Sequence, residues 1–217
     1  MAEQMAEPAA APTARESPVG YGDGPVGVVL CGGASTRMGA VKATLPTPSG
    51  PLAGIPARAL AAAGCGSVVA VGGDASVMEP LARTLGIGWI PDEWPGQGPL
   101  GGVATACARL TGQTLLVCAC DLPWIDRAAV VPLLDAVCEP SPYDAAVYEL
   151  DGVAQWSVMA LSVRAAAGLA AAFAAGERSL HGGIAATGLA VAHLTPPEPH
   201  AIRDADSPED LPAPWRP

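Results

Sequence analysis

Short apolar runs alternate along this chain with Ala-rich segments that have helical length and Gly or Pro boundaries. The apolar runs occupy residues 26–31, 67–73, 87–91 and 114–120. Helices are predicted over residues 51–63, 75–85, 100–109 and 125–137. Strands that alternate with helices form a mostly parallel sheet that is covered on both faces. The sequence therefore predicts a Rossmann-like, three-layer α/β/α fold.

The second half of the chain departs from this rhythm after Pro142. The runs DAAVYELDG and AQWSVMAL are strand-like and nearly adjacent, so they predict an antiparallel excursion of the sheet. An Ala-rich helix is predicted over residues 163–175, a further segment over 177–186 and a last strand over 190–195. Because no internal repeat or linker divides the chain, residues 25–217 are predicted to form a single domain.

The start of the chain and its composition limit where the protein is expected to work. Residues 1–24 are rich in Ala, Pro, Glu and Gly without an apolar period, which predicts a loose tail. No basic-then-apolar signal occurs at the start, and no apolar run approaches the roughly 20 residues of a membrane span. The protein is therefore expected to be cytoplasmic, with its six cysteines reduced.

The formal net charge of −10 argues against nucleic acid or an acidic membrane as a partner, since no run of Lys or Arg offsets it. An anionic ligand would have to meet locally placed cations, which are scarce. The chain has ten Arg and one Lys, Lys42, and it lacks Asn. Because Lys42 follows a glycine-rich loop, a functional role is favoured over the alternative, a codon bias that spared one lysine by accident.

The glycine-rich loop lies between the first predicted strand and Lys42. In open α/β sheets, ligands bind beyond the carboxyl ends of the strands. The loop contains Gly32, Gly33 and Gly39, which permit close backbone approach, and the cation Arg37. These features predict a triphosphate-binding loop, with a tight structural turn as the alternative. The spacing matches neither a Walker loop nor the dinucleotide pattern GxGxxG.

A second candidate follows the predicted strand 114–120. Asp121 stands at the tip of this strand, and Pro123 ends it. A carboxylate in this position is typical of a Mg²⁺ ligand or of the N-cap of the next helix. Asp126 could fill the capping role instead, so both interpretations of Asp121 stay open.

Several segments resemble the MobA-like nucleotidyltransferases, with the molybdenum cofactor guanylyltransferases as the nearest branch. The opening LCGGASTRMG, followed by Lys42, matches the family pattern Leu-Ala-Gly-Gly, then Ser-x-Arg-Met-Gly and Lys. The segments GPLGG (98–102), CDLP (120–123) and DSPEDL (206–211) match three further family elements in the same order. The resemblance covers about residues 26–211.

The resemblance implies roles for individual residues. Arg37, Lys42 and Asp121 would be catalytic, with the two cations neutralising the triphosphate and Asp121 holding Mg²⁺. The implied nucleotide-binding residues are Leu30, Gly32, Gly33, Ser35, Lys42, Asp92, Gly98, Leu100, Gly101 and Asp121. Asp206 would assist the metal or cap the last helical turn. Arg178 would bind the acceptor phosphate or be a surface arginine.

By the same resemblance, residues 25–123 form the NTP-binding half and residues 124–217 the acceptor-binding half. The implied reaction transfers GMP from GTP to the terminal phosphate of molybdenum-bound molybdopterin and releases pyrophosphate. Gly32 and the Gly-Pro-Leu element favour GTP, because cytidylyl enzymes of the family tend to have Ala at the first position and to lack the second element. GTP and molybdopterin are the expected substrates, and transient contact with molybdopterin-assembly or acceptor proteins is also expected.

The sequence departs from the family pattern at two places. Three other functions stay open as alternatives. Cys31 replaces a small Ala, and Gln155 with Trp156 replaces a His/Gln-Pro pair. A cytidylyltransferase, or another NTP:phosphate nucleotidyltransferase with a different acceptor, would share the first half. GQGPLG spells GxGxxG and indicates an NAD-dependent oxidoreductase, but this reading leaves LCGGASTRMG unexplained. A non-catalytic nucleotide-binding module would have no need of Arg37, Lys42 and Asp121 together.

Overall fold

The structure is a computed structural model that describes residues 24–32 and 41–215. The predicted tail, except Gly24, lies outside the described residues, as do Gly33, Ser35 and Arg37 of the glycine-rich loop. The strands are β1 (Val26–Leu30), β2 (Pro46–Thr47), β3 (Gly50–Pro51), β4 (Ser67–Val71), β5 (Gly88–Ile90), β6 (Leu115–Ala119), β7 (Ala145–Leu150), β8 (Val153–Leu161) and β9 (Val191–Leu194). The α-helices are α1 (Gly54–Ala62), α2 (Ala75–Leu85), α3 (Pro99–Arg109), α4 (Arg127–Val137), α5 (Val163–Ala174) and α6 (Leu180–Thr187).

Seven of the strands form one sheet in the order β5-β4-β1-β6-β8-β7-β9. The four strands β5, β4, β1 and β6 are parallel to one another. Strand β8 runs antiparallel to both β6 and β7, and β9 is parallel to β7. Strand β8 is therefore the only one of the seven that runs in the opposite direction. The predicted mostly parallel sheet with an antiparallel excursion is confirmed.

Strand β1 lies in the middle of the parallel part because it is apolar on both faces. Val26, Val28 and Val29 are almost fully buried, as a strand covered by helices on both sides requires. Gly27 lets helix α1 approach closely, since a Cβ at this position would lie 2.9 Å from the Cβ of Leu60. The loop that follows β1 therefore leaves the sheet at its centre.

Helices cover both faces of the sheet, and each face has its own apolar core. Helices α1, α2 and α4 contribute Leu60, Met78 and Leu133 to one core. Helices α3, α5 and α6 contribute Leu100, Leu169 and Leu180 to the other. The predicted three-layer architecture is confirmed. None of the described helices has the length and apolar character that a bilayer span requires.

Two helices begin later than predicted, for local reasons. Helix α1 begins at Gly54 because residues 50–51 pair with residues 46–47 in a small hairpin, which no sequence pattern predicted. Helix α4 begins after Asp126, whose carboxylate accepts a hydrogen bond from the Ala129 amide at 2.9 Å. An N-cap residue has non-helical backbone angles, so the helix starts after it.

Candidate active site

A cleft of about 1060 Å³ opens at the carboxyl edge of the parallel strands, where open α/β sheets bind ligands. Its described walls come from the loops after β1, β4, β5 and β6 and from β8. Of the predicted site residues, it brings together Leu30, Gly32, Lys42, Asp92, Gly98 and Asp121. A second cleft, of about 830 Å³, lies between α1 and α2, and its described lining has one charged residue, Arg58. The first cleft therefore holds the candidate chemistry.

The ammonium group of Lys42 joins two carboxylates in this cleft. Its Nζ donates to Oδ2 of Asp121 at 2.8 Å and to Oδ1 of Asp206 at 2.7 Å. The side chains of Lys42 and Asp121 are 13% and 17% exposed, whereas that of Asp206 is 63% exposed. Because solvent and salt screen exposed charges more strongly, the contact with Asp121 is the stronger of the two.

A third carboxylate, that of Asp204, responds to the same charges. Burial raises its pKa, and the negative charges of Asp206 and Asp121 raise it further. Burial alone would lower the pKa of Lys42, but its hydrogen bonds to the two aspartates outweigh burial and raise this pKa overall. Lys42 is therefore protonated throughout the neutral pH range. Asp204 is not among the residues predicted from the sequence, and its position two residues before Asp206 is the only signal for it.

Asp121 was predicted either to hold Mg²⁺ or to cap helix α4, and the structure shows that it does not cap the helix. Asp126 caps helix α4, so that role is filled. The carboxylate of Asp121 instead contacts Lys42, and its main-chain oxygen accepts the amide of Ala205 at 2.9 Å. This backbone contact places the carboxyl-terminal segment, with Asp206, beside the end of β6.

Asp206 was predicted either to assist the metal or to cap the last helical turn, and in the structure another aspartate closes that turn. The carboxylate of Asp210, at the last of three residues in a 3₁₀ turn, accepts the amides of Ser207 and Asp206 at 2.8 and 3.2 Å. The turn is thus closed by Asp210. The carboxylate of Asp206 reaches Lys42, in agreement with a role in the cleft.

Asp92 lies in the loop between β5 and α3 and is held by Thr105. Its Oδ1 accepts hydrogen bonds from the Thr105 hydroxyl at 3.0 Å and from the Trp94 amide at 2.9 Å. Thr105 is fully buried in α3 and is not among the residues predicted from the sequence. Oδ2 of Asp92 would lie 3.8 Å from a Cβ on Gly32, so this oxygen is close to the loop after β1.

The Gly-Pro-Leu element forms the beginning of helix α3. Gly98 is the N-cap residue with φ of +85°, a conformation that glycine adopts without strain. Gly98, Pro99 and Gly102 line the cleft, whereas Leu100 and Gly101 are buried in the helix and are not among the residues that line it. The element therefore reaches the cleft through its glycines and its proline.

Two thiols end adjacent strands in the wall of the cleft. The Cys31 thiol donates to the main-chain oxygen of Val29 at 3.6 Å, and its interaction with the Cys120 thiol, together with burial, raises the pKa of Cys31 well above its ordinary value. A protonated, buried thiol is a packing group. Among the tryptophans, Trp156 lines the cleft, and Trp94 packs against Phe173 with ring centroids 4.8 Å apart.

A lysine between carboxylates at the carboxyl edge of a mostly parallel α/β sheet fits the nucleotidyltransferase class, and the comparison with known proteins shows that class. Residues 27–189 match the MobA-like NTP transferase domain. The chain belongs to this family, as its motifs indicate.

Curated relatives agree with this assignment, and a solved structure has the same fold. The probable molybdenum cofactor guanylyltransferase of Chloroflexus aggregans is 31% identical over 197 residues, which cover 85% of this chain and 90% of the relative. The molybdenum cofactor guanylyltransferase of Xanthomonas euvesicatoria is 35% identical over 155 residues, which cover 71% and 75%. The structure of molybdopterin-guanine dinucleotide biosynthesis protein A from Archaeoglobus fulgidus has the same fold, with a TM-score of 0.67, 21% identity and coverage of 85% and 94%.

Proposed function

We propose that this protein transfers GMP from GTP to the terminal phosphate of molybdenum-bound molybdopterin and releases pyrophosphate. The observation that carries the proposal is the position of Lys42, the one lysine of the chain, between Asp121 and Asp206 at the carboxyl edge of a nucleotidyltransferase sheet. Relatives named as molybdenum cofactor guanylyltransferases support the choice of substrates.

The nucleotide would bind along the cleft from α3 to Lys42. Gly98 and Gly102 let the base approach the backbone at the start of α3, and Asp92 is oriented by Thr105 beside Gly32. Lys42 would meet the triphosphate, with Arg37 as a second cation. In a chain with a net charge of −10, these cations offset the repulsion that four phosphate charges would otherwise meet.

The acidic residues around Lys42 fit a divalent cation. Mg²⁺ prefers oxygen ligands and usually keeps water and substrate phosphates beside one or two carboxylates. Oxygens of Asp121 and Asp206 already converge on one cation, the ammonium of Lys42. Within the described residues no group of three or more acidic, His or Cys side chains is arranged for a metal, so Asp121 and Asp206 would hold the ion together with the substrate. Bound there, Mg²⁺ would offset phosphate charge.

The reaction requires little general acid or base catalysis from the protein. The terminal phosphate of the pterin is already an anionic nucleophile, and its oxygen forms the new bond to the α-phosphorus of GTP. The bond from this phosphorus to the bridging oxygen breaks, and pyrophosphate leaves with the electron pair. The described residues contribute by position and charge, with Lys42 facing the phosphates where negative charge accumulates.

The acceptor would enter beside strand β8. Trp156 and Ser157 line this side of the cleft and belong to the half of the chain after residue 123. The indole ring of Trp156 offers a flat surface for a planar pterin. We expect the reaction to take place in the cytoplasm, with molybdopterin delivered through transient contact with the proteins that assemble it.

Label transfer tests the proposal directly. The protein is incubated with Mg²⁺, GTP labelled at the α-phosphorus, and molybdenum-bound molybdopterin, and the products are separated. We expect label in a pterin dinucleotide and an equal amount of pyrophosphate. Label transfer from CTP in preference to GTP would assign the cytidylyl reaction instead, and no transfer to the pterin from either nucleotide would rule out this acceptor.

A further inference from the structure

Arg178 lies in the connection between α5 and α6 and is not among the described residues that line the cleft. Its Nε donates to Oε1 of Gln97 at 2.9 Å. Its Nη1 donates to the carbonyl oxygens of Phe173 and Glu177 at 2.9 and 2.8 Å. Two of the three guanidinium nitrogens are therefore engaged by the protein itself, in directions fixed by the planar group.

The same guanidinium takes part in a stack of side chains. Its Cζ lies 4.3 Å from the centroid of the Phe173 ring, a distance typical of a cation–π contact. The other partner of Phe173 is Trp94, with ring centroids 4.8 Å apart. Trp94 and Gln97 both belong to the loop between β5 and α3. The side chain of Arg178 thus reaches this loop by a hydrogen bond and, through Phe173, by a ring contact.

The main chain of Arg178 contacts the start of helix α3, which follows this loop. Its carbonyl oxygen accepts the amide of Leu100 at 3.2 Å. A Cβ on Gly98 would lie 2.8 Å from this oxygen, so the glycine is required for the approach. The loop from Trp94 to Gln97 and the start of α3 are therefore held by one residue of a distant segment.

The connection that carries Arg178 is itself fixed. One oxygen of Glu177 accepts the amides of Arg178 and Ser179 and the hydroxyl of Ser179, at 2.8 to 3.0 Å. These hydrogen bonds, first from the Ser179 amide and next from the Arg178 amide, lower the pKa of the Glu177 carboxyl. Ser179 then caps α6. Because the turn is ordered by its own hydrogen bonds, it can position another segment.

We propose that Arg178 is a positioning residue for nucleotide binding, which holds the loop of residues 94–97 and the start of α3 in the shape that receives the base. This inference rests on the proposed function, because it takes Gly98 and its neighbours as the base-binding element. It replaces direct capture of the acceptor phosphate as the task of Arg178. An arginine that binds the acceptor phosphate would direct its N–H donors into the cleft, whereas Nε and Nη1 of Arg178 donate to Gln97 and to backbone oxygens.

The test compares nucleotide affinity in single and double variants of the full chain. Titration calorimetry with Mg²⁺ and each of GTP, CTP, ATP and UTP gives the preferred nucleotide of the wild type and its Kd. Arg178→Met keeps an unbranched side chain over Phe173 without the hydrogen bonds, and we expect it to raise that Kd by roughly tenfold. Gln97→Ala should raise it by roughly fivefold. The double variant should be within about twofold of Arg178→Met, because both changes break one contact.

Two further variants separate positioning from charge and from general loss of structure. Arg178→Lys keeps the positive charge but not the planar fork, so a positioning role predicts a Kd close to that of Arg178→Met, whereas a phosphate contact would be largely kept. Arg127→Met is the matched control. Its Nε also joins two segments, by a bond to the Ala62 oxygen at 3.0 Å, outside the residues that line the cleft. We expect its Kd for the nucleotide to be unchanged.

The outcomes distinguish this inference from the proposed function. Unchanged nucleotide affinity in folded Arg178→Met, with a raised KM for the pterin, would overturn the positioning role. A wild type that prefers CTP, with the same losses in the variants, would overturn guanylyl transfer and support the role of Arg178. A wild type that binds none of the four nucleotides would overturn both.

Discussion

Among the described residues that line the cleft, Lys42 carries the only positive charge, and Asp74, Asp92 and Asp121 are acids. A triphosphate entering this acidic surface would be repelled unless a cation offset the negative charge locally. Asp121 and Asp206 hold the ammonium of Lys42 in place, so it is oriented before a ligand binds. The raised pKa of Lys42 keeps this contact intact until the pH rises above the ordinary range of lysine.

Lys42→Met should lower turnover more than a hundredfold and leave the fold intact. Met has an unbranched stem of similar length but no charge, so the transition state loses roughly 3 kcal/mol, more than a hundredfold in rate. Asp121→Ala should lose a comparable amount, because Asp121 orients Lys42 and is the proposed cation ligand. Pyrophosphate release measures the rate and circular dichroism the fold. The control Asp135→Ala changes an exposed aspartate of α4 and should keep the rate. Near-normal turnover in folded Lys42→Met or Asp121→Ala would contradict the mechanism.

Asp204→Asn should raise the melting temperature at neutral pH. The pKa of Asp204 is raised in the folded protein, so its ionised form is disfavoured there and folding becomes less favourable as the pH rises through that pKa. The asparagine side chain is uncharged, so the substitution removes a negative charge beside Asp206 and Asp121. The difference in melting temperature from the wild type should shrink toward pH 3, where Asp204 is protonated in both states. An equal difference at pH 3 and pH 7 would show that charge is not the cause.

At the scale of secondary-structure elements, the end of β6 and the start of α4 divide two tasks between neighbouring aspartates. Asp126 accepts the Ala129 amide at the helix N-terminus, and the carboxylate of Asp121 contacts Lys42. The sequence predicted both positions but not this division, because either carboxylate could have capped the helix. The choice depends on Lys42, which lies 79 residues earlier in the chain. A sequence motif does not show which residues from distant parts of the chain will be in contact.

Asp126→Ala and Asp121→Ala should have opposite effects on stability and rate. Loss of the N-cap in Asp126→Ala should lower the free energy of unfolding by about 1 kcal/mol and leave turnover near normal. Asp121→Ala should lose turnover with a smaller effect on unfolding. Urea titration and pyrophosphate release, run on the same preparations, check both. A larger loss of rate in Asp126→Ala than in Asp121→Ala would contradict the assignment.

At the scale of the whole molecule, the sequence predicted the layers and the mostly parallel sheet because these follow from local patterns. The alternation of apolar runs and helical segments placed β1, β4, β5 and β6 within a few residues, and the strand-like runs after Pro142 did the same for β7, β8 and β9. The acidic cluster around Lys42 was predicted only in part, because Asp206 lies 164 residues from Lys42 in the chain. Thr105 and Arg178 act through packing and hydrogen bonds between elements, which periodicity does not reveal.

The proposed single domain over residues 25–217 should unfold in one step. Strand β6 of the first half pairs with β8 of the second, so neither half keeps a complete sheet without the other. Urea unfolding followed by circular dichroism and by tryptophan fluorescence should give coincident curves. Leu60→Ala, in the core between α1 and β1, should lower the free energy of unfolding by about 3 kcal/mol as measured by either probe. Separate transitions for the two probes would indicate two domains.

Guanylyl transfer by this protein is decided by pyrophosphate release with Mg²⁺ and each of GTP, CTP, ATP and UTP, measured with and without molybdenum-bound molybdopterin. We expect release with GTP only when the pterin is present, and more than a hundredfold slower release from Lys42→Met under the same conditions. Release with CTP in place of GTP, or none with any nucleotide and this acceptor, would contradict it.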